Sequence, residues 1–153
     1  MKAVPIHTNW GEHKCFDAII RCIDHRISGE EVAEALNEAL DDQRKIVRAD
    51  DITGAGVSLA VLKDEYWPLI RDEVRVAVEK HGVKRFLLLD HHDCGAYGGV
   101  DKFAGDLVAE REFHIAEMHK AKDKLLAFLM ELDASDVEVL LFYWGEHQLE
   151  PVE

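Results

Sequence analysis

Three apolar-rich runs of strand length constrain this chain more than any other feature: Phe16–Ile23 (FDAIIRCI), Val83–Leu89 (VKRFLLL) and Val137–Trp144 (VEVLLFYW). Their apolar residues come in blocks rather than at every second position, so each strand has to be covered on both faces. The segments between them carry apolar residues at helical spacing. Strands alternating with helices build βαβ units, whose right-handed crossovers give a parallel sheet flanked by helices. The predicted fold is therefore α/β: a three-layer α/β/α arrangement around a mostly parallel central sheet of about four strands. A chain of 153 residues suffices for one such domain and is read as a single domain over 1–153.

End signals place the connecting segments. Ser28-Gly29-Glu30-Glu31 is a capping box, followed by Val32, Ala35, Leu36, Ala39 and Leu40 at helical spacing. Lys45-Ile46-Val47-Arg48 is read as a short second strand and Thr53-Gly54-Ala55-Gly56 as a flexible turn. Pro68 suits the first turn of a helix with an apolar stripe of Leu69, Ile70, Val74, Ala77 and Val78, and Gly82 is its stop. A helical pattern then runs from Asp106 to Leu132, as one helix or two.

Charge and composition exclude several functional classes. Thirty-one acidic residues against 18 Lys and Arg give a formal net charge of -13. Such a surface repels phosphate backbones and anionic lipids, so neither a nucleic-acid nor a membrane partner is expected. The acidity reads as solubility, with adaptation to high salt as the alternative. The longest uninterrupted apolar stretch, Val139–Trp144, is far short of the ~20 residues of a membrane span. Met1–His7 shows no apolar signal-peptide core, so a cytoplasmic location is expected. Three cysteines, Cys15, Cys22 and Cys94, are too few for a disulfide scaffold. Cys15 and Cys22 flank one strand, roughly 20 Å apart at ~3.3 Å per residue, whereas a disulfide needs Cα atoms within about 7 Å. Core packing, metal binding and nucleophilic or redox chemistry remain as their uses.

Two polar clusters follow predicted strands, where open α/β sheets place their chemistry. The first is Cys22-Ile23-Asp24-His25-Arg26, or C-x-D-x-R; the second is His91-His92-Asp93-Cys94-Gly95, or H-x-x-C-G. Thiolate sulfur and neutral imidazole are the preferred ligands of Zn2+. His91 and Cys94, three apart on a tight turn, can face one ion, with Cys22 as the third ligand. Three protein ligands and an open position describe a catalytic zinc. Asp24 can either bind the metal or face its water, and Arg26 can hold that carboxylate through a bidentate pair.

These motifs resemble the β-class carbonic anhydrases, which carry C-x-D-x-R after the first strand and H-x-x-C-G after a later one. FDAIIRCIDHRI is similar to the family's first strand and turn, and VKRFLLLDHHDCGA to its third. VEVLLFYWGEHQLEPV resembles its closing strand, turn and short return strand. The resemblance implies that Cys22, His91 and Cys94 ligate zinc and that Asp24 and Arg26 form the catalytic dyad. Asp24 is also implied as a fourth metal ligand that closes the site. The implied reaction is reversible hydration of carbon dioxide to bicarbonate, zinc activating water that the dyad orients. Two thiolates cancel the formal charge of the ion, so activity is expected to rise on the alkaline side of neutral. The alternatives are a carbon disulfide or carbonyl sulfide hydrolase on the same site, a non-catalytic zinc or anion-binding module, and a thiol-redox role for Cys22 and Cys94. A homodimer or higher homo-oligomer is implied, with the family's N-terminal arm missing or reduced ahead of Cys22.

The family's R-N-A-G-like run after the second strand is replaced here by Val47–Gly56, whose counterpart is either Arg48 or Ala55-Gly56. His25 and His92 flank the ligands and read either as proton shuttles or as turn histidines. Asp93 reads as a turn former and Cys15 as inert. His114 and Met118 read as packing, as do the pairs Tyr66-Trp67 and Tyr143-Trp144.

Overall fold

One sheet organises the chain. The structure, a computed structural model, describes residues 11–40 and 44–153. The strands are β1 (Asp17–Cys22), β2 (Ala49–Gly54), β3 (Arg85–His91), β4 (Glu138–Trp144) and β5 (Leu149–Val152), in the order β2-β1-β3-β4-β5. Neighbours pair in parallel except β4 with β5. The helices are α1 (Gly29–Ala39), α2 (Val57–Leu62), α3 (Trp67–Val76) and α4 (Leu107–Glu131).

The blocky strands are buried on both faces. Ala18, Ile20, Phe86, Leu88, Val139 and Leu141 pack one face against Val61, Val74, Met118 and Leu125 of α2, α3 and α4. On the other face, Ile19, Leu87, Leu89 and Phe142 meet Val32 and Leu36 of α1. Three layers result. Ser28 caps α1 in a reciprocal box: its side chain accepts from the Glu31 N–H, and its own N–H donates to Glu31. Asp106 caps α4, a single helix of 25 residues, by accepting from the N–H groups of Val108 and Ala109. Pro68 opens α3, which runs on through a π-helical turn, Ala77–His81, to Gly82 at φ +74°.

Two sequence expectations need correction. The second strand is Ala49–Gly54, not Lys45–Arg48, and the Thr53–Gly56 turn shrinks to Ala55-Gly56. β2 is the sheet's edge strand, and only Ile52 of its six residues is buried, so ADDITG carries no apolar block to announce it. β5 brings the sheet to five strands rather than about four.

A buried ion pair ties the amino ends of β1 and β3. Arg85 Nε donates to Asp17 Oδ1 at 2.7 Å, with both side chains 2% exposed, and Arg85 Nη2 donates to the Arg44 carbonyl. Removing one partner leaves an uncompensated buried charge. Arg85→Met alone is expected to cost about 3–5 kcal/mol in urea unfolding. The double change Asp17→Leu with Arg85→Met is expected to cost less than the single one.

Candidate metal centre

β1 leads on one side to β2 and on the other side pairs with β3, so strand order reverses between β1 and β3. The carboxyl ends of these two neighbours are the switch point at which open α/β sheets bind ligands. Cys22 is the last residue of β1, His91 the last of β3, and Cys94 follows on the next turn. Their ligand atoms lie within 4.8 Å of one another, and all three residues are buried. The sulfurs are 3.9 Å apart and form no disulfide. The Gly56 N–H points at Cys22 Sγ from 3.5 Å.

His91 Nδ1 lies 2.7 Å from the His92 carbonyl, which can only accept, so this nitrogen carries the proton. Nε2 is then the lone-pair nitrogen, and it is buried without a hydrogen-bond partner. Two sulfurs and one unpartnered imidazole nitrogen, buried together, are a donor set that suits a zinc ion. Hydrogen bonding from Cys94 draws the Cys22 thiol down to about 3 against the opposing effect of burial, while His91 and the Gly56 N–H assist. The same contact, together with burial, pushes the Cys94 thiol up. The pair therefore loses one proton readily and keeps the other. Burial disfavours a charged His91, but the adjacent Cys22 outweighs it and raises the imidazole's pKa. A cation entering here displaces thiol protons and meets the free lone pair of His91 Nε2.

Arg26 joins the two turns. Its Nε lies 3.1 Å from each Asp24 oxygen, its Nη2 donates to Asp24 Oδ2 at 2.7 Å, and its backbone N–H reaches Oδ1 at 2.9 Å. The same guanidinium donates to the carboxylate and the carbonyl of Asp93, each at 2.8 Å. The Arg26 side chain first, and its N–H second, hold the Asp24 carboxyl well below the usual carboxylate range. Asp24 Oδ2 is 4.0 Å from His91 Nε2, which sets the dyad beside the cluster.

A polar layer beneath the second turn has no strong sequence signal. Glu110, 0% exposed, receives the Asp93 N–H at 2.8 Å and faces His92 Nδ1 at 2.7 Å. His114, also buried, faces Asp90 at 3.1 Å, and Asp90 accepts the Ser58 N–H. His114 is thus packed, as expected, but also hydrogen-bonded. The available signal is the inward stripe of α4, in which Glu110 and His114 continue the spacing of Met118, Ala121 and Leu125. Asp93, at φ +53°, accepts the Val100 N–H and supports its turn. His25 stands in solvent, its side chain 96% exposed. The Ala55-Gly56 turn, rather than Arg48, lies against the cluster: Arg48 pairs with Glu12 at 3.8 Å. Gly56 is required there, since its φ is +63° and a Cβ would sit 2.8 Å from that of Ala96. Tyr143 is buried, whereas Tyr66 is 46% exposed.

A mostly parallel three-layer sheet with a Cys-His-Cys cluster at its switch point defines a protein of the β-carbonic anhydrase type. The profile of the family described as "Putative carbonic anhydrase" matches residues 12–151, and the chain belongs to this family in a divergent form. Among solved structures, a β-carbonic anhydrase from Trichomonas vaginalis superposes with a TM-score of 0.55 at 15% identity, over 99% of this chain and 87% of the other. A carbonic anhydrase from Glaciozyma antarctica gives 0.50 at 19% identity, over 90% and 81%. These likenesses establish the fold. An uncharacterized protein of Rickettsia conorii is 31% identical over 130 residues, covering 75% of this chain and 67% of its own length. Its counterpart in Rickettsia bellii is 28% identical over 129 residues, covering 75% and 76%. Among the described residues no helix is long and apolar enough to cross a membrane.

Glu110 is expected to hold the His91–Cys94 turn in shape. Glu110→Ala leaves the partly buried Asp93 N–H without its acceptor, at a cost of about 1 kcal/mol in urea unfolding. Glu110→Gln, which keeps an acceptor oxygen, is expected to cost less.

Proposed function

We propose that this chain catalyses the zinc-dependent, reversible hydration of carbon dioxide to bicarbonate. The observation that carries the reading is the buried convergence of Cys22, His91 and Cys94, with an unpartnered His91 Nε2 beside the ionised Asp24. Cys22, His91 and Cys94 would hold the ion, leaving its fourth position on the side of Asp24. Zinc, when bound, supplies a Lewis acid able to lower the pKa of water far below its bulk value.

The roles of the chain's own residues follow from their contacts. Asp24, held ionised by Arg26, accepts hydrogen bonds but resists taking a proton across the neutral range. It therefore orients an oxygen that still carries a hydrogen and turns the lone pair of that oxygen toward the carbon of carbon dioxide. Arg26 fixes the carboxylate in place and ties it to the second turn through Asp93. Hydration releases one proton, and His92, next to His91 in the chain and paired with the buried Glu110, is proposed to relay it. The proposed substrate is a small molecule. The working unit is proposed to be a cytoplasmic homodimer or multiple of dimers built from one domain. Ile23, 61% exposed next to Cys22, supports it by offering apolar surface to a second copy.

Stopped-flow carbon dioxide hydration by zinc-loaded protein at about pH 8.5 tests the reading. Zinc-dependent turnover is expected, and Cys22→Ser is expected to abolish it. The rate is expected to rise between pH 6.5 and 9. Asp24 contributes nothing to that rise: its pKa is depressed, so it is already ionised above the ordinary carboxylate value of about 3.9. Absence of turnover above the Cys22→Ser blank, or a flat profile over that range, contradicts the proposal.

A further inference from the structure

The opposite end of the sheet gathers a second set of ligand-type atoms. Cys15 precedes β1, Asp50 is the second residue of β2, and His81 ends the π-helical turn ahead of β3. β2, β1 and β3 are adjacent, so residues far apart in the chain meet at the strands' amino ends. The Cys15 N–H donates to the His81 carbonyl at 3.1 Å, which pins the cysteine beside the histidine. His81 Nδ1 lies 2.7 Å from Asp50 Oδ2, and the ligand atoms of all three residues fall within 4.8 Å of one another. All three are half-buried, and a cavity of about 670 Å³ opens onto Cys15 and His81 between Glu12 and Arg44.

An imidazole–carboxylate pair alone would be an ordinary local ion pair. The sulfur changes the chemistry, because it adds a soft donor from a third element to a nitrogen and an oxygen. Calcium and magnesium select oxygen ligands, whereas a mixed sulfur, nitrogen and oxygen set suits a borderline ion such as zinc. Zinc bonds of about 2.0–2.3 Å put tetrahedral ligand atoms roughly 3.3–3.8 Å apart, so the 2.7 Å His81–Asp50 contact opens slightly to admit the ion while Cys15, within 4.8 Å of both, closes on it. We propose that Cys15, Asp50 and His81 form a second divalent-metal site of the zinc class at the amino edge of the sheet, separate from the Cys22 cluster. Its fourth position opens to the cavity. Binding sends the Cys15 thiol proton to solvent and fastens together the amino ends of three adjacent strands.

Zinc alone is the probe. The demetallated full chain is alkylated with N-ethylmaleimide with and without zinc, and peptide mass spectrometry reads Cys15 separately from Cys22 and Cys94. Zinc is expected to slow Cys15 alkylation at least tenfold. His81→Ala and Asp50→Asn are each expected to abolish that protection without altering protection of Cys22 and Cys94. Equal alkylation of Cys15 with and without zinc overturns the proposal, as does protection that survives His81→Ala. Zinc retained after gel filtration gives a second reading: it is expected to fall by one ion per chain in Cys15→Ser, and unchanged content overturns the proposal. Because Cys15 is scored on its own peptide, failure of the hydration activity leaves this test intact.

Discussion

The parallel pairing of β1 with β3 is the constraint on which the rest of the site depends. In that pairing Arg21 lies opposite Leu89, so the chain leaves both strands at the same edge. Cys22 and the His91–Cys94 turn then meet without any long-range loop having to bring them together. A register shift of one residue would turn every side chain of β1 to the other face. It would carry Cys22 away from His91 and turn Ile20, wholly buried on the side of α2, α3 and α4, toward the α1 face, where it does not match its neighbours. Burial of the apolar blocks therefore specifies the site geometry: the hydrophobic energy that sets the register also aims the ligands.

Much of the fold was legible because its central strands are apolar on both faces. β1, β3 and β4 were readable within one or two residues from their blocks, and α1 from its capping box. What escaped were two elements without a readable signal in the sequence. β2 is a polar edge strand, and α2 spans six residues with no side-chain cap at its start. The cluster was legible because Cys22, Asp24, Arg26, His91 and Cys94 stand within two short motifs at strand ends. Its supporting layer was not, since Glu110 and Asp90 act through contacts across 17 and 32 positions that no local spacing encodes. Cys15 shares no local motif with Asp50 or His81, and the sheet order is what brings the three together.

The buried carboxylates explain how so acidic a chain can assemble a site of this kind. Asp90 and Glu110 are fully shielded from water, and each accepts a backbone N–H as well as facing a histidine. Buried charge is tolerated only when such partners satisfy it. The π-helical turn and Gly82 act at the other end of β3 and carry the chain back to the sheet at Arg85, whose charge is neutralised by Asp17.

Arg26 shows why chemistry and stability are inseparable at this edge. One guanidinium engages both oxygens of Asp24 together with the carboxylate and the carbonyl of Asp93. A lysine has three donors on a single flexible point and cannot reproduce this planar fork. The arginine thus does two things at once: it keeps Asp24 ionised and aimed, and it fastens the turn after β1 to the turn after β3. Each turn contributes metal-type ligands, so the distance between them is itself a property of the site. A side chain that only neutralised Asp24 would leave that distance free, and the three ligand atoms would lose the common focus that the sheet register provides.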